Sequence, residues 1–363
     1  MRSEPVLAVS AGEASGDLHA ANLLGALADQ GVRFRAWAVG GPRLSGAGAE
    51  ILIPSEALSA MGLLEAAGRL PVLLRARRAV VRRFLTDRPD LFLPVDFGGF
   101  NLALAAQARR LGVPVVYYIP PKVWAWGPWR ARKVRERVDE ALVILPFEEP
   151  YWAARGVRVS YVGSPVADHV TGRRWSPEPG RVGLLPGSRK GEILRIWPLL
   201  LGVAGELARH RPLRFTVPLA PGVDREWFGE AEGVEFTDDA LGVMERSELV
   251  IAASGTAALE CALVGVPTVV VYRVNPLTYW LGRLLVRVPF VALPNLIAGR
   301  EVVPEFVQRP VGEVVRASVR LLEDEGARAR MIEGLDEVRR KVGEPGAARR
   351  AAERIARFLE ERG

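Results

Sequence analysis

The sequence predicts an α/β protein of two domains, each built on a parallel sheet. Short apolar runs alternate with longer amphipathic segments, the pattern of strands joined by crossover helices. Runs such as LFLPV and LVIAA show no polar–apolar alternation, as expected of strands covered by helices on both sheet faces. The 363 residues, set against roughly 100–200 per domain, are a two-domain length.

The elements follow in order. PVLAVS reads as the first strand, AGEASGD as a glycine-bearing turn, and HAANLLGALADQG as a helix that stops at Gly31. A strand near FRAWAVGG, a basic helix near RLPVLLRARRAVVRRFLTD and a strand at LFLPVD come next. The helix NLALAAQARRLG precedes the strand VPVVYYIP, and EALVILP follows another basic helix. Beyond YVGSPVADHV, the polar stretch RRWSPEPG carries proline and glycine and reads as an interdomain connection. The expected domains are therefore residues 1–168 and 169–363. In the second, RVGLLPGSRKGEILRIWPLLLGVAGELA gives strand, loop and helix, and RFTVPLA, ELVIAASG and TVVVYR give further strands. Arg/Glu-rich helices run from VGEVVRASVRLLEDE to the end, and their crossing back to the first domain is compatible with the sequence.

Composition excludes several classes. Hydrophobic residues make up 49% and charged residues 25%, an ordinary globular mix. The single cysteine, Cys261, allows no intramolecular disulfide and suits a reducing compartment. With histidine only at His19, His169 and His210, no cysteine–histidine metal cluster can be assembled. No uncharged apolar run approaches the ~18 residues of a spanning helix, and the N-terminus lacks a signal-peptide core. A soluble or membrane-peripheral protein is expected. The net charge of +7 suits an anionic membrane surface or a phosphorylated substrate. Its basic and aromatic residues form no nucleic-acid signature, so no nucleic-acid partner is expected.

Two loops have the form that binds phosphate: LLPGSRKGEI at 184–193 and AASGTAALE at 252–260. Each follows an apolar strand and opens a helix, exposing backbone N–H groups and the positive helix end to an anion. Gly187, Ser188 and Arg189 form the first candidate site, and Ser254, Gly255 and Thr256 the second. Arg189 adds a cationic fork suited to a diphosphate. Glu260 reads either as an acceptor for ribose hydroxyls or as a salt-bridged helix carboxylate. In the first domain, Gly12 and Gly16 permit close approach of a ligand, while Ser15 or Asp17 is suited to cap the following helix. Capping alone does not explain Glu13.

The ordered motifs AGEASGDLHAANL, MGLLE, VDFGGFNLALA, YYIPPKVWAWGPWR, ILPFE, YVGSPVAD, LLPGSRKGEI, ASGTAALE and LPNLIAGREVVPEFVQ resemble the lipid-A-disaccharide synthase family from about residue 6 to 308. The resemblance implies a GT-B glycosyltransferase, with two Rossmann-like domains facing a central cleft. It also implies no metal or other cofactor and a UDP-sugar donor. The implied reaction is inverting transfer of 2,3-diacylglucosamine to 2,3-diacylglucosamine 1-phosphate, giving a β-1,6 disaccharide and UDP. The first domain would take the acceptor and the second the UDP-sugar. Three positions depart from the family pattern: Gly99 replaces its second aspartate, Pro120 its serine and Ser164 its histidine. Those departures keep open a related transferase with another lipid acceptor, or a non-catalytic UDP-sugar-binding homologue. A UDP-sugar 2-epimerase is a further rival on this fold.

Within that frame Asp96, at the end of the strand LFLPVD, is the candidate base; the alternative is a structural carboxylate bonded to loop amides. By resemblance, Asn295 and Glu305 line the donor pocket; Gly12, Glu13, Ser15, Gly16 and Asp17 are the substrate-binding candidates of the first domain. Met61, Leu63, Leu64, Leu70, Val72, Leu73 and Leu74 lie among Arg69, Arg75, Arg77 and Arg78. From spacing, that segment is either a core-facing helix or an interfacial one. The resemblance favours an acyl- and membrane-facing patch, joined by LTYWLGRLLVRVPF at 277–290, and hence a cytoplasmic protein at the inner face of the membrane. An oligomer is compatible with all of this. Trp124 and Trp126 read as either cleft-lining or packing residues.

Overall fold

A computed structural model describes residues 4–59, 66–125, 127–275 and 288–362. The chain divides into two compact units, one of Met1–Pro165 with Gly346–Gly363, the other of Val166–Pro345.

The first unit holds a parallel sheet of β1 (Val6–Ala11), β2 (Arg35–Gly40), β3 (Glu50–Pro54), β4 (Leu91–Val95), β5 (Val116–Tyr118), β6 (Glu140–Val143) and β7 (Val159–Tyr161). Its strand order is β3-β2-β1-β4-β5-β6-β7. The chief helices are α1 (Ala14–Asp29), α2 (Pro42–Gly46), α3 (Glu56–Ser59), α4 (Ala66–Asp87), α5 (Gly98–Arg110), α6 (Ala131–Arg137) and α7 (Glu148–Ala153). The lack of alternation in β4 has a plain cause. Leu91, Leu93 and Val95 pack with Leu23, Leu24 and Leu27 of α1, while Phe92 on the other face packs with Val80, Phe84 and Ala105.

After α8 (Pro165–His169), the second unit repeats the plan with β8 (Arg181–Leu185), β9 (Arg214–Pro218), β10 (Val234–Thr237), β11 (Leu249–Ala253), β12 (Thr268–Tyr272) and β13 (Glu305–Val307). The order is β10-β9-β8-β11-β12-β13, again parallel. Its helices are α9 (Lys190–His210), α10 (Ala240–Arg246), α11 (Thr256–Val264), α12 (Leu293–Ala298), α13 (Val311–Glu323) and α14 (Glu325–Val342). The final helix, α15 (Ala347–Glu360), returns to the first unit, where Ala351, Ala352, Ile355 and Phe358 join the core beside α1.

Two differences from the sequence reading have physical reasons. The strands β3, β7, β10 and β13, absent from the apolar-run reading, are the four sheet edges, short and only partly buried. The stretch RRWSPEPG is not a free connection but is packed into the second unit. Trp175 donates its indole N–H to the Ser247 carbonyl at 2.7 Å, and Arg173 pairs with Glu245 at 2.8 Å. Among the described residues no helix is long and apolar enough to cross a membrane.

Candidate active site

In each sheet the strand order reverses once, between β1 and β4 and between β8 and β11. Ligands of open parallel sheets sit beyond the carboxyl ends of the strands at such a point. The sequence-predicted loops occupy both places: Gly12–Glu13 after β1, Asp96–Phe97 after β4, Gly187–Arg189 after β8 and Ser254–Gly255 after β11.

In the first unit three loops press together. A Cβ on Gly12 would lie 2.3 Å from the Phe97 ring, and one on Gly98 would lie 2.6 Å from Pro121 Cβ. Neighbouring side chains therefore enforce both glycines. Asp96 (φ 48°) and Phe97 (φ 51°) are successive left-handed residues, and Ile119 (φ 58°) at the end of β5 is a third. Such conformations cost on the order of 1 kcal/mol or more per residue and persist only where surrounding structure imposes them. Here Asn101 Nδ2 donates to the Asp96 carbonyl at 2.8 Å and Tyr117 Oη donates to it at 2.7 Å. Asn101, fully buried, also donates to the Ser10 and Val95 carbonyls and accepts from Ser10 Oγ at 2.6 Å. The Asp96 carboxylate is partly buried and makes no hydrogen bond or ion pair among the described residues. The reading as a carboxylate bonded to loop amides therefore finds no partner.

Asp17 has a different task from either one expected of it. Its buried carboxylate accepts from the amides of Gly41 (2.6 Å), Arg43 (3.0 Å) and Leu44 (3.3 Å), closing the start of α2. The cap position of α1 is Glu13, with no side-chain cap bond, so neither Ser15 nor Asp17 caps that helix. Ser15 is exposed and Gly16 buried. Trp124 is a packing residue, edge-on to Phe147, with its indole donating to the buried Glu148 at 2.8 Å. Trp126 lies outside the described residues.

In the second unit Gly187 has φ 102°, and a Cβ there would lie 2.2 Å from Glu192 Oε2. Glu192 stands three positions after the cap residue, Arg189, the place from which an acidic side chain reaches back to the first amides of a helix. Burial pushes the Glu192 pKa up. The motif spacing carries this signal, and the sequence reading did not use it. Ser188 and Arg189 are exposed, as are Gly255 and Thr256. Ser254 Oγ donates to the Val291 carbonyl at 3.0 Å. Glu260 Oε1 lies 2.9 Å from His169 Nδ1, which favours the paired-carboxylate reading.

Asn295 and Glu305, expected beside the donor, are bonded within their own segment. Asn295 is fully buried, its amide donating to the Val303 carbonyl (2.8 Å) and to Glu305 (3.2 Å), its oxygen accepting from Val302 (2.7 Å) and Val303 (2.9 Å). Both its donors and both its lone pairs are used, so nothing remains for a ligand. Glu305 accepts from the amides of Val291 and Ala292 at the entrance to α12. The pair shapes the 291–295 segment to which Ser254 is tied.

Met61, Leu63 and Leu64 lie outside the described residues, as does most of 277–290; for Leu70 only the helical backbone is described. Val72 and Leu73 are partly buried and pack against the core, as in the core-facing alternative. They fall on the same face of α4 as Ala76 and Val80, which the sheet covers. Leu74 is 40% exposed beside exposed Arg75 and Arg78.

Two parallel sheets, each with one switch point, have the architecture of GT-B glycosyltransferases. Solved structures agree on the fold. The glycotransferase of kitacinnamycin matches with TM-score 0.65 at 18% identity, over 99% of this chain and 100% of that one. S. aureus MnaA, solved with UDP, matches with TM-score 0.63 at 14% identity, over 98% and 96%. The particular family comes from the sequence. The family model described as lipid-A-disaccharide synthetase matches residues 7–353. A lipid-A-disaccharide synthase of Myxococcus xanthus is 42% identical over 378 aligned positions, covering 99% of each chain. The chain belongs to the lipid-A-disaccharide synthetase family.

Proposed function

We propose that the protein is a hexosyltransferase, moving 2,3-diacylglucosamine from its UDP derivative onto 2,3-diacylglucosamine 1-phosphate with inversion. The 6-hydroxyl of the acceptor attacks the anomeric carbon as its proton passes to Asp96. The bond from the anomeric carbon to the β-phosphate oxygen breaks, and its electron pair leaves with UDP. The first unit takes the acceptor and the second the UDP-sugar. The amides at the starts of α9 and α11, with Arg189, carry the leaving diphosphate. The observation that carries this reading is Asp96, held by its backbone at the switch point while its carboxylate stays without a partner among the described residues. Leu74 with Arg75 and Arg78 supports peripheral contact with the inner, anionic face of the cytoplasmic membrane.

Gly99 supports a second reading, transfer to another lipid acceptor. It is exposed, and no atom lies within 4 Å of a Cβ built there, so packing does not account for the missing aspartate. Mass spectrometry of products from a panel of acylated acceptors distinguishes the two. Under the first reading Asp96→Asn lowers turnover by about 10²–10⁴, with melting temperature and UDP affinity unchanged. A destabilised variant with near-normal turnover per folded molecule would sink the base assignment.

A further inference from the structure

We propose that Tyr117 is a positioning residue for the transfer reaction, acting through the backbone of Asp96. The inference rests on the reading of Asp96 as the base. Tyr117 lies on β5, the strand beside β4, and is fully buried. Its hydroxyl donates at 2.7 Å to the carbonyl of Asp96, which is also held by Asn101 at 2.8 Å. That carbonyl belongs to the first of two successive left-handed, non-glycine residues. A peptide in this conformation relaxes toward the ordinary β or α region once its restraints are lost, and relaxation rotates the Asp96 Cα–Cβ bond. Two donors converging on one carbonyl thus fix where the carboxylate projects.

The phenol is suited to this. Burial, with the neighbouring Asp96 charge, holds its pKa well above the ordinary tyrosine value, so it stays a donor through the whole physiological range. A phenylalanine would fill the same buried place on β5 beside its register partner Ala141, so packing does not require the hydroxyl. Asn101 holds the carbonyl from α5 and is itself bonded to Ser10 of β1 and Val95 of β4. Tyr117 adds a second donor to that carbonyl from β5, the strand that also accepts from the Asp96 amide through the Tyr118 carbonyl at 3.1 Å, so both ends of the Asp96 residue are fixed to one neighbouring strand.

The test is a cycle of four proteins: wild type, Tyr117→Phe, Asp96→Asn and the double variant. Each is assayed with UDP-2,3-diacylglucosamine and 2,3-diacylglucosamine 1-phosphate, and turnover is normalised to the folded fraction. Tyr117→Phe is expected to lower kcat about 3- to 10-fold, the weight of one hydrogen bond expressed as a rate, with donor KM unchanged. In the Asp96→Asn background the same change is expected to cost nothing further, because the group it positions has already been disabled. Equal fractional losses in both backgrounds, or no loss in the first, would overturn the positioning role while leaving Asp96 as base. Normal turnover by Asp96→Asn alone would overturn the base reading, and this inference with it.

Discussion

A buried carboxylate needs partners that compensate for lost water, and Glu148 shows how few suffice. It is 2% exposed and accepts from the Trp124 indole and from the Leu145 amide at 3.1 Å. Burial still dominates and pushes its pKa above the ordinary carboxylate value, against the pull of those donors and of Lys122. The folded protein therefore keeps a proton at pH values where the unfolded chain has released it. Stability attributable to this group falls as pH rises from the ordinary carboxylate value, about 4.3, through the raised one. Glu148→Gln keeps an acceptor for Trp124 and cannot ionise. The variant should gain stability relative to wild type as pH rises across that window. Urea midpoints at pH 4, 5, 6 and 7 check this; parallel curves for the two proteins would refute it. The motif ILPFE marks Glu148 in the sequence, but its partners, a tryptophan on another loop and a backbone amide, leave no sequence signature.

At the scale of elements, the strand–glycine–helix units were the most legible part of the molecule. They combine a continuous apolar run with residues whose conformational needs are local: Gly187 must accept φ 102°, and the loop after it must start a helix. Asp17 and Asn295 were less legible because each serves an element other than its own. Asp17 caps α2, 24 residues further on, and Asn295 holds the chain at 302–303. Edge strands escaped notice for an energetic reason: exposed on one side, they need less apolar length than β4 or β11. In the loop–helix unit at Arg189, Glu192 already neutralises part of the positive helix end. An anion there must be held by added charge, which Arg189 supplies. Arg189→Ala should remove a charge-assisted bond worth about 1.5–3 kcal/mol and weaken UDP binding roughly 10- to 100-fold, measured by titration calorimetry. Unchanged affinity would make Arg189 a structural residue.

At the scale of the whole chain, the organising feature is the return of α15 to the first unit after the second is complete. Apolar packing against Leu23, Leu24 and Leu27 drives it, and a buried ion pair fixes its register. Arg354 grips the fully buried Glu140 of β6 with two bonds of 2.6 and 2.7 Å, and Arg158 at 3.0 Å adds a third contact. The helix reads from sequence as an amphipathic Arg/Glu segment, one arginine like the next. Which arginine reaches Glu140 follows only from the fold, since Glu140 sits 214 residues away. Removing one partner of such a pair leaves a buried charge undercompensated. Arg354→Met should therefore destabilise the first unit by about 3–5 kcal/mol, less whatever Arg158 recovers. The double variant Arg354→Met with Glu140→Met places apolar volume where the pair was, and should recover most of that loss. Urea denaturation followed by a probe in the first unit measures both. Additive losses in the double variant would show that the residues act independently, and α15 would then be held by its apolar face alone.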